Sequence, residues 1–337
     1  MQLNKFIGIT DLQDIDFSFC NYAMSKALTE FQEHLKQSRR IVALVGAGLS
    51  VSSGLPTFRG AEGLWKNFNM IDLATPDAFY IDPGLVWQFY SWRRHNALKA
   101  KPNAGHHALA QLSKVPDLEF LTITQNVDGL SARSGHNKNN LYEIHGSLFT
   151  LKCTSFMCNY IEKDNMKVPL TPALRDTEFE YQPVRRKRRM IDYDSITMEQ
   201  TEELTDEVAI SPQFVPVKEL NEKDLPQCPV CQDGSLLRPG VVWFGESLPL
   251  QELNEIDDFM EGGPVDLILV IGTSGTVYPA NSYVDRVMLQ GGKAAIFNTD
   301  IDDKILRGEV ANTWGFKGDG AELLPLALRP LIEKDEQ

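Results

Sequence analysis

The stretch RRIVALVGAGLSVSSGLP, residues 39–56, decides the fold. IVALV (41–45) is a short, unbroken apolar run that ends on a glycine pair, Gly46 and Gly48. A strand covered on both faces, as in a parallel sheet, reads this way. DLEFLTIT (117–124), DLILVIGT (266–273) and KAAIFN (293–298) have the same character. Segments of helical spacing lie between them, at 104–114 and 279–291. Residues 21–38 (NYAMSKALTEFQEHLKQS) form an amphipathic helix ahead of the first strand. Buried strands alternating with helices predict an α/β fold, a doubly wound parallel sheet.

The glycine pair also carries a functional expectation. Gly46 and Gly48 let the backbone approach a pyrophosphate closely, and a helix opening at this loop would favour its charge. The dinucleotide fingerprint GxGxxG wants a third glycine at 51, where Val51 stands. A hydride-transferring dehydrogenase is therefore a poor fit. Ser50, Ser52 and Ser53 are polar groups beside the loop, followed by Thr57, Phe58 and Arg59, with Trp65 after GlyLeu. Taken alone, Phe58 reads as core filler and Arg59 as a surface charge.

At 337 residues the chain exceeds what one core usually supports, so a large domain with a smaller inserted or appended one is expected. The net charge of −13 argues against a general nucleic-acid binder, which needs a basic face. No apolar run approaches the roughly 20 residues that cross a bilayer, so a soluble protein without membrane association is expected. The first twenty residues lack a signal-peptide layout, and Asp11, Asp14 and Asp16 give no support to an Arg-rich presequence.

The cysteines stand at 20, 153, 158, 228 and 231. Cys20 reads as a small buried apolar side chain on a helix. CTSFMC (153–158) and CPVC (228–231) are two close pairs, and without a secretory signal such pairs point to a metal rather than to disulfides. Cys153, Cys158, Cys228 and Cys231 would complete a tetrahedral zinc shell with no open position, a structural site that activates no water. His145, eight residues before Cys153, is not needed for that shell. Between the pairs, 159–227 holds few buried-strand patterns. It includes RRKRR (185–189) and MEQTEELTDE (198–207), which read as a solvated, mobile insertion. RRKRR could be a nuclear-import or interaction patch, or an exposed loop balancing nearby acids.

Taken together, GAGLSVSSGLPTFRG (46–60), TQNVDGL (124–130), EIHGSL (143–148), the cysteine pairs, VVWFGE (241–246), GTSGTVYPA (272–280) and FNTD (297–300) resemble the sirtuins, NAD-dependent protein-lysine deacylases. The resemblance runs in order from about residue 38 to 330. It implies a Rossmann-like catalytic domain (38–148 and 236–330) with an inserted zinc module (149–235), an N-terminal helical segment (1–37) and a tail (331–337). It also implies a reaction in which acyl-lysine and NAD⁺ give lysine, nicotinamide and 2′-O-acyl-ADP-ribose. Gly46, Ala47, Gly48 and Ser50 would hold the phosphates. Thr57, Phe58, Arg59 and Trp65 would belong to the loop region closing on the nicotinamide ribose. Gln125, Asn126, Val127 and Asp128 would line the nicotinamide and ribose pocket. Gly272, Thr273, Ser274, Asn298, Thr299, Asp300 and Gly320 would face the phosphate and adenosine side. His145 would be the general base that takes a proton from a ribose hydroxyl, a task suited to an imidazole near neutral pH.

Residues 84–96 (GLVWQFYSWRRHN) look helical, which puts Tyr90 and Arg93 on one face. Aromatics there are more often core, and Arg93 alone could be a surface ion-pair partner. The Tyr-x-x-Arg pair nevertheless resembles class III sirtuins, which remove succinyl, malonyl and glutaryl groups. An arginine fork with a tyrosine hydroxyl can bind the terminal carboxylate of such groups. Ala74 in DLATP would leave room for the longer chain, and the neighbouring Arg94 should point elsewhere. VVWFGE, with Val241, Trp243, Phe244 and Gly245, and GTSGTVYP would flank the acylated protein segment as strands, by β-augmentation. The alternatives on the same scaffold are a deacetylase or a weak ADP-ribosyltransferase, and from another class a non-catalytic NAD-sensing module. The class III resemblance suggests the mitochondrial matrix, whereas the acidic N-terminus and RRKRR argue for cytosol or nucleus.

Overall fold

The computed structural model describes residues 25–57, 64–175, 217–273 and 282–333. Cys20, Phe58, Arg59, Ser274, RRKRR, the acidic run 198–207 and most of GTSGTVYPA lie outside the described residues. The strands among the described residues are β1 (Arg40–Val45), β2 (Leu64–Trp65), β3 (Phe68–Asn69), β4 (Glu119–Thr124), β5 (Leu141–Glu143), β6 (Gly146–Cys153), β7 (Ile161–Glu162), β8 (Leu237–Val241), β9 (Leu267–Ile271), β10 (Lys293–Asn298) and β11 (Thr313–Lys317).

β1 sits inside the sheet because its apolar run satisfies both faces. Its neighbours β4 and β9 are parallel to it, with Val42 opposite Leu121 on one side and Ile268 on the other. The full order is β11-β10-β9-β1-β4-β5, all parallel. Strand side chains alternate between faces. Ile41, Ala43 and Val45 therefore join a core with Phe31 and Leu35 of helix 25–37, Leu109 and Leu112 of Ala104–Leu112, and Leu324 and Leu328 of Gly320–Ile332. Val42 and Leu44 join a second core with Ile256 and Met260 of helix Leu250–Glu261 and Val287 of Ser282–Leu289. Burying each of the larger apolar side chains among these contributes about 1.5–3 kcal/mol. This is the expected doubly wound α/β sheet. From β1 the chain proceeds to β4 and β5 on one side and to β9, β10 and β11 on the other, so the order reverses between β1 and β9. Ligands of open α/β sheets bind at that reversal, outside the carboxyl ends of the strands.

A second, antiparallel sheet β7-β6-β8 carries the cysteines. It begins at Gly146, directly after His145, and ends at Val241, so its strands reach past the expected bounds 149–235. It packs against helix Pro83–Lys99, whose first turn is fixed by Pro83 and by Asp82 accepting from Leu85 N at 2.8 Å. This helix runs three residues beyond the expected end. Val86, Trp87, Phe89, Tyr90 and Trp92 are all buried in one cluster with Leu151, Leu174 and Trp243.

One expectation needs correction: only Val241 of VVWFGE is in a strand. Trp243–Glu246 closes a turn, with Glu246 N donating to Trp243 O at 3.0 Å and Gly245 at φ +90°. The charge blocks of the insertion, read as solvated, lie outside the described residues, and the insertion's described flanks are anchored on the core. Leu170, Leu174 and Leu225 are buried in the cluster around Trp87, where Lys218 exchanges hydrogen bonds of 2.9 and 3.2 Å with the Gln88 side chain.

Candidate active site and metal centre

The loops after β1 and β9 touch at the sheet's reversal point, and the glycines are there because of that contact. A Cβ on Gly48 would lie 2.7 Å from Gly272 Cα, and one on Gly46 would lie 2.7 Å from the Gly272 carbonyl oxygen. Gly272 itself is at φ +56°. Gly46 N donates to Ile271 O at 2.8 Å and Gly48 N to Gly272 O at 2.9 Å. Both amides thus donate within the protein, and the same close contact fixes the loop that was expected to let the backbone approach a pyrophosphate. The helix that opens here, Gly48–Val51, is a single turn, so the expected dipole contribution is small.

Beside this loop the end of β4 delivers a buried polar network. Ser50 Oγ donates to Asp128 Oδ2 at 2.7 Å, and Leu130 N donates to Asp128 Oδ1 at 2.9 Å. Asn126 Nδ2 reaches Gly46 O at 3.0 Å and Ser50 Oγ at 3.2 Å. Gln125 Nε2 donates to Thr273 Oγ1 at 3.3 Å, and Asn298 Nδ2 to Thr273 O at 3.0 Å. Side chains at or just beyond the ends of four strands, β1, β4, β9 and β10, are thereby locked together, as a preorganised polar site requires.

His145 stands where the main sheet hands over to β6. Its Nδ1 lies 3.0 Å from Gln125 O, and a carbonyl can only accept, so Nδ1 carries the proton and Nε2 is left as a lone-pair acceptor. Burial lowers its pKa from the usual histidine value, opposed by the Gln125 hydrogen bond. The ring is therefore neutral at pH 7. Glu143, two residues upstream, is pushed up to about 7 by burial and by Asp128 and Asp164.

These groups line one cleft of about 760 Å³, within the range of small-ligand pockets. Gly46, Ala47, Gly48, Ser50 and Thr57 line it from the first loop, and Gln125, Asn126, Val127, Asp128 and His145 from the segments after β4 and β5. Gly272, Thr273, Asn298, Thr299, Asp300 and Gly320 line it as well. Ala74, Tyr90, Arg93, Val241, Trp243, Phe244 and Gly245 also line it. Trp65 does not: its indole is buried against Phe68, Phe89 and Trp92, with ring centroids 5.6 to 6.4 Å away. It had been expected on the cofactor loop, but the hairpin β2–β3 turns it into the core.

Around Tyr90 the chain is tightly fixed. Trp243 Nε1 donates to Tyr90 Oη at 2.9 Å, Phe244 N to Ala74 O at 2.9 Å, and Val242 N to His145 O at 2.8 Å. Burial raises the Tyr90 pKa to about 12, against the pull of Arg93. Burial likewise lowers that of Arg93, against Tyr90 and Asp128. Arg238, which sequence reasoning did not single out, bonds Glu246 at 2.5 and 2.8 Å and lies 3.5 Å from the Trp243 ring centroid. Arg94 points away from the cleft, as expected. Its buried guanidinium binds Leu148 O, and Asn165 O and Lys167 O at 2.7 and 3.0 Å, tying the helix to the small module.

The four cysteine sulfurs lie within 4.8 Å of one another, with Cys153–Cys231 at 3.7 Å and Cys158–Cys228 at 3.8 Å. Tetrahedral zinc with bonds of about 2.3 Å separates its sulfurs by about 3.8 Å. The donor set therefore fits a closed structural zinc site, and His145 has no part in it.

Residues 46–279 match the model of the Sir2 family. The chain is 70% identical over 312 residues to an NAD-dependent protein deacylase of Candida albicans, covering 92% of this chain and 99% of the relative. It is 37% identical to the dog protein named NAD-dependent protein deacylase sirtuin-5, mitochondrial, over 91% of this chain and 86% of the relative. Among solved structures it resembles a Sir2 homolog–NAD complex, with a TM-score of 0.64 and 32% identity, covering 90% of this chain and 93% of that one.

Proposed function

The chain belongs to the Sir2 family, and we propose that it is an NAD-dependent protein-lysine deacylase that prefers acyl groups ending in a carboxylate: succinyl, malonyl and glutaryl. The observation that carries the acyl preference is that Tyr90 and Arg93, one helical turn apart, line the same cleft as His145. A guanidinium and a phenol beside the buried Ala74 and Trp243 suit a carboxylate at the end of a short aliphatic chain. Relatives in which sirtuin-5 is part of the name support the same reading.

Bound NAD⁺ would supply the ribose carbon to which the acyl oxygen adds as nicotinamide leaves. The polar network of Ser50, Asn126 and Asp128 orients the nicotinamide end. Thr273, Asn298, Thr299, Asp300 and Gly320 hold the adenosine side. His145 Nε2, an acceptor because Nδ1–H is tied to Gln125 O, takes a proton from a ribose hydroxyl. The zinc cluster holds the small module, whose first strand follows His145 directly. The substrate is an acyl-lysine on a protein; a Sir2–p53 peptide–NAD⁺ structure is among the related folds, with a TM-score of 0.60 and 27% identity.

Arg93→Met tests the acyl assignment. It is expected to reduce kcat/KM on a succinyl-lysine peptide by about 10²-fold or more, the scale of a lost charge-assisted hydrogen-bond pair. Turnover of an acetyl-lysine peptide should fall much less. Desuccinylation that survives the change contradicts the assignment and favours a plain deacetylase.

A further inference from the structure

We propose that Trp243 is a specificity-positioning residue: by donating its indole N–H to Tyr90, it fixes the tyrosine hydroxyl as a hydrogen-bond donor toward the acyl end of the cleft. The inference rests on the carboxylate-acyl reading above and assigns a second layer to it.

An indole nitrogen can only donate, so the 2.9 Å contact makes Tyr90 Oη the acceptor. The phenol proton must then point elsewhere, and among the described residues no protein acceptor takes it. Tyr90 lines the cleft, so the proton is presented there. Arg93, also in the wall, contributes donors only. The acyl end therefore meets two donors from one turn of the same helix. A carboxylate, which only accepts, matches that polarity. Without the indole the hydroxyl could turn and offer a lone pair instead, which repels a carboxylate.

The indole itself is held in place. Trp243 is 3% exposed, with Phe79 on it at 5.3 Å between ring centroids. The Arg238 guanidinium stacks on the ring at 3.5 Å and is paired with Glu246 at 2.5 and 2.8 Å. Glu246 Oε2 also accepts from Trp243 N at 2.8 Å, which closes the loop Glu246–Arg238–Trp243. Burial pushes the Glu246 carboxyl up, but the hydrogen bonds from Arg238 and Trp243 N outweigh it, and the group stays ionised and paired.

The test is a double-mutant cycle on the full chain, with Trp243→Phe, Tyr90→Phe and both. It reads kcat and KM on matched succinyl- and acetyl-lysine peptides with NAD⁺. Phenylalanine keeps an aromatic ring at 243 and deletes the donor. The single Trp243→Phe change is expected to raise KM for the succinyl peptide about tenfold, the scale of one hydrogen bond, with kcat nearly constant and a smaller effect on the acetyl peptide. In the Tyr90→Phe background the same change should leave the succinyl-to-acetyl ratio of kcat/KM where it was. Should Trp243→Phe fail to fold, Glu246→Gln, which loosens the clamp without touching the indole, is expected to lower that ratio only when Tyr90 is present. Equal effects in both backgrounds, or equal losses on both peptides, overturn the role of Trp243 alone. A wild-type enzyme that prefers acetyl over succinyl overturns both this inference and the acyl reading beneath it.

Discussion

The reactivity of His145 depends on which of its ring nitrogens the backbone occupies. With Nδ1–H held by Gln125 O and the pKa lowered mainly by burial, the base form persists below the usual histidine titration. The acid limb of kcat/KM against pH should therefore have its midpoint below about 6.5, because protonation of the free enzyme's base sets that limb. His145→Ala should lower kcat by about 10²–10⁴-fold. A midpoint above 7, or a variant with ordinary turnover, would show that another group is the base. His145, Asp128 and Asn126 were legible because short local motifs name them. Trp65 was not, since nothing local says whether a tryptophan beside a loop turns outward or into the core. Glu246 stands in the VVWFGE motif without any local sign of what it holds. Its role depends on Arg238, eight residues away across a turn whose geometry no periodicity announces.

At the scale of elements, the legible parts were those with a physical reason to repeat. β1, β4, β9 and β10 are continuous apolar runs because they are covered on both faces. β11 was missed: TWGFK is a short edge strand whose apolar pattern Gly315 interrupts. Helix Gly320–Ile332 contains Pro325 and Pro330, which a local reading takes as breaks, yet packing of Leu324 and Leu328 onto the sheet holds it. The glycine loop was found for an incomplete reason. Gly46 and Gly48 were read as room for phosphate, whereas the contact that demands them is the loop carrying Gly272. Gly48→Ala should force the β1 and β9 loops apart and cost roughly 1–3 kcal/mol, the range for overpacking. Thermal unfolding checks this, with NAD-dependent stabilisation measured alongside. An unchanged midpoint would mean that the loops part freely.

At the scale of the whole molecule, the small module and helix Pro83–Lys99 share one cluster rather than meeting at a linker. Trp87 Nε1 donates to Leu237 O at 2.9 Å, and Arg94 reaches three carbonyls of the module and its flank. The helix that bears Tyr90 and Arg93 is thus braced by the metal-bearing sheet. Removing zinc with a strong chelator should lower the unfolding midpoint and abolish turnover, with recovery on adding zinc back, since binding to such a site is folding free energy. Full activity in metal-free protein would separate the module from the active site. Among the described residues no helix is long and apolar enough to cross a membrane.

The most direct measurement is mass spectrometry of a panel of lysine peptides bearing acetyl, succinyl, malonyl and glutaryl groups, incubated with the protein with and without NAD⁺. Loss of the three carboxylate-bearing groups is expected only with NAD⁺, ahead of acetyl, with one nicotinamide and one acyl-ADP-ribose per lysine freed. Acetyl removed in preference to all three, or acyl loss that proceeds without NAD⁺, would contradict that expectation.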